Sequence, residues 1–151
     1  MDEFLDVVSP GYIIQRSINI NDTSPLVVKF SSLIFLHVGV VVEVRERNLE
    51  GIMIFHYTQK KGIWSCVTEN MQDFMGDNET FSYYVRDAPF DIKERAEHMV
   101  LWGPRSISYS LFANCEDMMN ALMTGNAYSP QRITAFILIA SLVIFAGILF
   151  T

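Results

Sequence analysis

Cysteine is scarce in this chain: Cys66 and Cys115 are the only two among 151 residues. Two thiols do not make a disulfide framework, so the fold must rest on an apolar core. Two free thiols in a reducing compartment are expected, with a single Cys66–Cys115 bridge as the alternative. Positive charge is also short, with 11 Lys and Arg against 17 Asp and Glu and a net charge of -6. Lys60 and Lys61 are too few to form a basic stripe, which argues against general nucleic-acid binding through phosphates. There is no C-x-x-C or H-x-x-x-H spacing to suggest zinc and no glycine-rich phosphate loop, so neither metal nor cofactor is expected. Internal repeats and low-complexity stretches are absent. The opening MDEFLDVVS lacks the basic and apolar regions of a signal peptide. Hydrophobic residues make up 50% and charged residues 19%, a balance that argues against a disordered chain and fits one folded domain.

A long uncharged run is present at the other end. Residues 133–150, ITAFILIASLVIFAGILF, contain no charge. Eighteen residues at about 1.5 Å each span roughly 27 Å, close to the hydrocarbon core of about 30 Å. The run is apolar on every face, whereas a core helix of a small domain keeps a polar one. It is therefore predicted to be a single-pass C-terminal membrane anchor. Only Thr151 follows it, and the simplest topology keeps the preceding domain in the cytosol. The division is an N-terminal segment over 1–25, a domain over 26–131 and an anchor over 132–151.

Within the domain, residues 10–25 mix turn formers with short apolar pairs and predict loop plus one edge strand. A short strand is expected over 26–30. Residues 35–44, FLHVGVVVEV, alternate at period two. A charged tip over 45–50 and Gly51 follow, and then a return strand over 52–58, which together predict a β-hairpin. Further strands are expected over 63–67 and 81–85, with a polar loop at 69–80. The period then becomes helical. Asp87 is the expected cap, Pro89 suits a first turn, Ile92, Ala96, Met99 and Val100 share a face, and Gly103-Pro104 ends the helix. Residues 106–112 are expected to be extended. A second helix over 114–124 has Asn114 as N-cap, Asp117 at N3 and Gly125 as terminator. Strands followed by helices predict an α+β fold.

Cys115 is the residue on which the chemistry turns. It occupies the first position of a helix, where the dipole and free N–H groups lower a thiol pKa. A thiol nucleophile needs a base, and His37 and His56 sit on the two arms of the predicted hairpin. A tip near Glu46-Arg47 places them side by side; a tip nearer Leu49 shifts the register and loosens the pairing. One imidazole then deprotonates the thiol while the other orients it. Taken alone, a cysteine is more often a small buried hydrophobe. His98 lies on the polar side of its helix and reads as surface, and Cys66 beside Trp64 reads as core.

The combination resembles the lecithin:retinol acyltransferase-like (H-NC box) family. The residues that carry the likeness are His37-Val38-Gly39, His56, Glu94-Arg95-Ala96-Glu97, and the stretch from Tyr109 to Asn114-Cys115-Glu116. The junction Gly125-Asn126-Ala127-Tyr128-Ser129-Pro130-Gln131 and the apolar run after it fit as well. The likeness runs from about residue 26 to the end. It departs from the family at Val38, where many members have an aromatic residue, and at Asp117-Met118, where His-Phe is common. The resemblance implies an antiparallel sheet with two packed helices of the permuted papain-like, NlpC type. It implies Cys115 as the acyl-accepting thiol, His37 as general base and His56 as the third polar residue. Cellular members are phospholipases A and acyltransferases that pass a fatty acyl group from a glycerophospholipid through a Cys thioester, so the implied partners are a phospholipid membrane and its lipids. Some picornaviral 2A proteins share the boxes and a hydrophobic tail without guaranteed acyl transfer, which leaves a non-enzymatic membrane-bound interaction protein as the alternative.

Overall fold

The structure, a computed structural model, describes residues 1–16, 36–77, 80–106 and 114–126, together with Ile137, Ala140, Ser141, Ile144 and Phe145. It is α+β, built on a six-stranded sheet. The strands are β1 (Tyr12–Arg16), β2 (His37–Val44), β3 (Ile52–Lys60), β4 (Ile63–Asn70), β5 (Ser82–Val85) and β6 (Arg105–Ser106). Their order is β5-β1-β2-β3-β4-β6, and every neighbouring pair is antiparallel. Among the described residues, the helices with given bounds are α1 (Asp2–Val7), α2 (Met71–Met75), α3 (Ile92–Trp102) and α4 (Cys115–Thr124).

Strand alternation splits the core in two. Ile13, Val38, Val40, Phe55 and Tyr57 join Ile92 and Ala96 of α3 and Met118, Met119 and Leu122 of α4 on one face. Ile14, Val41, Ile52 and Ile54 join Phe4 of α1 and Met71 and Phe74 of α2 on the other. The sheet is thus covered on both sides. This explains why Ile13 and Ile14, adjacent in sequence, are both fully buried, and why β1 is an interior strand rather than the edge strand expected. It also draws part of the 1–25 segment into the sheet.

The hairpin forms as expected, with a register shift between Val41 and Glu43 that sets Gly39 opposite His56. In place of a loop over 69–80, β4 continues to Asn70, whose side chain accepts from the Asp73 N–H and starts α2; Gly76 (φ 54°) follows the helix. Burial of Met71, Phe74 and Met75 stabilises this short turn in its polar context. α3 begins after Asp91, not Asp87, because Pro89 holds Ala88 away from helical backbone angles. α4 has the boundaries its caps predict. Asn114 accepts from the Glu116 and Asp117 N–H groups in a capping box, and Gly125 ends the helix in the left-handed region (φ 79°).

The strand expected over 26–30, residues 107–113 and most of the 132–151 run lie outside the described residues. The five described positions of that run are helical and exposed. Among the described residues, no helix is long and apolar enough to cross a membrane.

Candidate active site

The start of β2 and the middle of β3 bring the two imidazoles together. His56 is opposite Gly39, so His37 is its diagonal neighbour on the same face. Gly39 makes room for this: a Cβ there would lie 2.4 Å from Ile54 Cγ2 and 2.8 Å from the Phe74 ring. His37 stacks on Phe74 at 5.2 Å between centroids, and His56 meets the same ring edge-on at 5.0 Å. The rings are joined by a His37 Nε2–His56 Nδ1 hydrogen bond of 2.8 Å. On its far side, His56 Nε2 lies 2.6 Å from Glu69 Oε1, while Lys60 Nζ holds Glu69 Oε2 at 2.6 Å.

The protons in this chain follow from its charges. Burial raises the Glu69 carboxyl, but the His56 and Lys60 hydrogen bonds outweigh that and hold it down at about 2. Glu69 is therefore an anion and acts as acceptor, which puts the His56 proton on Nε2. Burial lowers the His56 pKa against the support from Glu69, so His56 is neutral and its Nδ1 accepts. His37 then donates from Nε2 and keeps the Nδ1 lone pair. Burial, followed by repulsion from His56 and Arg16, pushes His37 well below its ordinary range. Both rings are neutral near pH 7.

Cys115 is at the first position of α4, as expected, and only 3% exposed. Its Sγ donates to the Leu36 carbonyl at 3.3 Å. Burial raises the thiol to about 11, against hydrogen bonding from the Val38 N–H and from the N–H groups of Glu116 and Cys115 itself. The sulfur is thus tied to backbone groups on either side of His37. The imidazoles, however, lie against Phe74 on the α2 face, while Cys115 belongs to the apolar cluster of the α4 face. Cys115 forms no hydrogen bond with either ring among the described residues. The expected lowering of its pKa by the helix start is outweighed by burial. Asn114, the expected cap, is buried and holds the α4 start in place.

Cys66 is also free and buried, and burial raises it to about 12. His98 is exposed, as expected. Among the described residues, no group of three or more His, Cys, Asp and Glu side chains is arranged to hold a metal ion.

Three residues of the site, Glu69, Phe74 and Arg16, carry no functional mark in the sequence. Glu69 fell in a stretch expected to be loop; Asn70 as a helix cap is the signal that would have extended β4 through it. Arg16 pairs with His37 across the β1–β2 ladder, and its guanidinium lies 5.2 Å from the Phe74 ring centroid. Burial lowers its pKa, opposed by the Cys115 and Glu69 charges. No local motif marks it, since its place depends on β1 entering the sheet beside β2. Comparison of the chain with protein-family models, curated proteins and solved structures finds no match.

Proposed function

We propose that this chain is a membrane-held, thiol-dependent phospholipase A or acyltransferase of the lecithin:retinol acyltransferase-like type, with the permuted papain-like topology of that family and residues 132–151 as its anchor. One observation carries the reading. A hydrogen-bonded Glu69–His56–His37 chain ends at the residue whose flanking backbone groups hold the Cys115 sulfur. The Nδ1 lone pair of His37 takes the thiol proton, and the thiolate attacks the ester carbonyl of a glycerophospholipid. Collapse of the tetrahedral adduct breaks the ester C–O bond, and the imidazolium returns the proton to the departing lysophospholipid oxygen. Water or an amine then attacks the thioester, giving a fatty acid or an amide and restoring the thiol. His56 and Glu69 orient His37 and stabilise its charged form. The arrangement described above is the resting one, with both groups neutral. Turnover requires the sulfur and His37 Nδ1 to close to about 3–4 Å when substrate arrives.

The test is intact mass after incubation with long-chain phosphatidylcholine vesicles. One added acyl group is expected, lost in Cys115→Ala and kept in Cys66→Ala. Equal, slow release of fatty acid by wild type and Cys115→Ala overturns acyl transfer.

A second reading, a non-enzymatic membrane-bound interaction protein of viral 2A or cellular type, is favoured by the placement of sulfur and imidazoles on opposite faces of the sheet and by the thiol's rise to about 11. Under it Cys115 stays unacylated while the chain remains folded and vesicle-bound.

A further inference from the structure

Away from the histidine pair, the α1/α2 face carries a second group of rings. Tyr83 of β5 is opposite Ile14 of β1, which makes Tyr12 its diagonal neighbour. The two tyrosine rings stack at 5.8 Å. α1 sets Phe4 against Tyr83 at 4.9 Å and against Phe81, just before β5, at 5.1 Å. Phe81 and Tyr83 stand 6.2 Å apart with their planes inclined at 40°. Phe4, Phe81 and Tyr83 line a cavity of about 280 Å³ together with Met1, Glu3 and Thr80. Phe4 is only 2% exposed and closes its inner end, whereas Tyr83 is 40% exposed at its mouth. The cavity shares no residue with the Glu69–His56–His37 chain.

Its volume falls just short of the about 300–1,000 Å³ of sites for drug-sized ligands, so it suits a small head group. Glu3 is the charged side chain of the lining, with Asp2 in the same turn of α1. Met1 brings a thioether and the chain's α-amino group, one positive charge against those two carboxylates. Arg47 binds the other end of α1, where it donates to the Leu5 and Asp6 carbonyls. Aromatic faces are electronegative, and a carboxylate adds to that field, so an anion is disfavoured there. A primary ammonium keeps a tight water shell and needs acceptors for three N–H groups. A fully methylated nitrogen has no N–H to satisfy and suits walls that include three rings. Centroids separated by 4.9, 5.1 and 6.2 Å can all lie within about 6 Å of one such cation.

We propose that this cavity binds a quaternary ammonium group of the choline type, held between Phe4, Phe81 and Tyr83 with Glu3 as its counter-charge. The attraction is that of a cation for ring faces, and each ring adds to it. The trimethylammonium group can come from free choline or from the head group of a choline lipid, and both present the same chemistry to the rings. Binding here goes beyond acyl transfer and does not depend on it, because neither Cys115 nor the imidazoles take part.

The test uses the full chain in a maltoside detergent, which carries no ammonium group. Tetramethylammonium and choline are titrated at constant ionic strength while the ring resonances of Phe81 and Tyr83 and the methyl resonance of Met1 are followed. Saturating shifts at these residues are expected with both cations. The uncharged alcohol in which carbon replaces the choline nitrogen should bind at least about fivefold more weakly. Tyr83→Leu and Phe81→Leu keep apolar volume and should each weaken choline binding about two- to fivefold, and Glu3→Gln should weaken choline but not the alcohol. The wild-type comparison of cation and alcohol stands even where a ring variant fails to fold. Absence of a saturating shift with either cation overturns the proposal. Equal affinity for the alcohol overturns it as well, because the cavity is then simply apolar. Micelles doped with phosphatidylcholine or phosphatidylethanolamine separate the sources. The same shifts with phosphatidylcholine alone support a lipid head group, shifts confined to free choline support the soluble cation, and equal shifts with phosphatidylethanolamine overturn the requirement for a methylated nitrogen. Failure of the acylation assay leaves these readouts unchanged.

Discussion

The two faces of the sheet each bury an apolar cluster but use it differently. The α3/α4 face mixes aliphatic side chains and methionines with Phe55 and Tyr57, and Cys115 sits in it as one more small apolar group. The α1/α2 face places a single aromatic plate, Phe74, under His37 and His56 and within reach of Arg16. There the burial that stabilises the fold also keeps two imidazoles neutral and aligns their hydrogen bonds. A helix start and a histidine pair therefore do not by themselves ionise a thiol, because burial raises Cys115 to about 11.

The sharpest way to break this contrast is Phe74→Ala. Loss of the ring should cost about 3–5 kcal/mol in chemical denaturation and free the imidazoles, so that the His37 and His56 ring resonances titrate nearer the ordinary range. Leu122→Ala on the other face should cost about 2–5 kcal/mol and leave those titrations in place. Matching titration shifts in both variants would show that Phe74 has no special role.

Gly39→Ala comes next. The added methyl would collide with Ile54 and Phe74, which should cost about 1–3 kcal/mol and disturb the His37–His56 bond while sparing α4. The pH profile of stability then separates the two ionisable parts of the same face. His37 and His56 have folded pKa values below 6.5, so the unfolded chain binds more protons and stability falls as pH drops through about 6.5. Glu69 is depressed from 4.5 to about 2; its contribution is complete above 4.5 and is lost as pH falls from there towards 2. His56→Gln should flatten the upper limb and Glu69→Gln the lower one in denaturation curves taken across that range. An unchanged upper limb in His56→Gln would place the burial penalty elsewhere.

Asn114→Ala should cost about 1 kcal/mol through the lost cap, the smallest change in stability. Alkylation complements it. With Cys115 raised to about 11 and Cys66 to about 12, both thiols should react slowly at neutral pH in the folded chain and rapidly once unfolded. Preferential neutral-pH alkylation of Cys115 would show that the site opens and that its thiolate forms.

Local signals set out much of this in advance. The Asn114 cap with Asp117 and Gly125 bounds α4, and the alternation of β2 with its charged tip bounds the hairpin. The two imidazoles were expected to meet; with Gly39 opposite His56 they do so diagonally. Elements whose stability depends on distant partners were harder to read. α2 is five residues long and exists because Met71 and Phe74 are buried. β1 reads as a loop with apolar pairs until β2 and β5 close on either side of it. Glu69 and Arg16 join the site only through those placements.

Sequence alone determined where the helix bearing Cys115 starts, which two strands carry the histidines and that the last twenty residues contain an uncharged run, because caps, period and hydropathy act between near neighbours. Only the tertiary structure decided that Arg16 and Glu69 stand beside the histidines, that Phe74 backs the rings and that the sulfur is neutral on the far face. These are outcomes of strand order, register and burial, and they depend on contacts between residues dozens of positions apart.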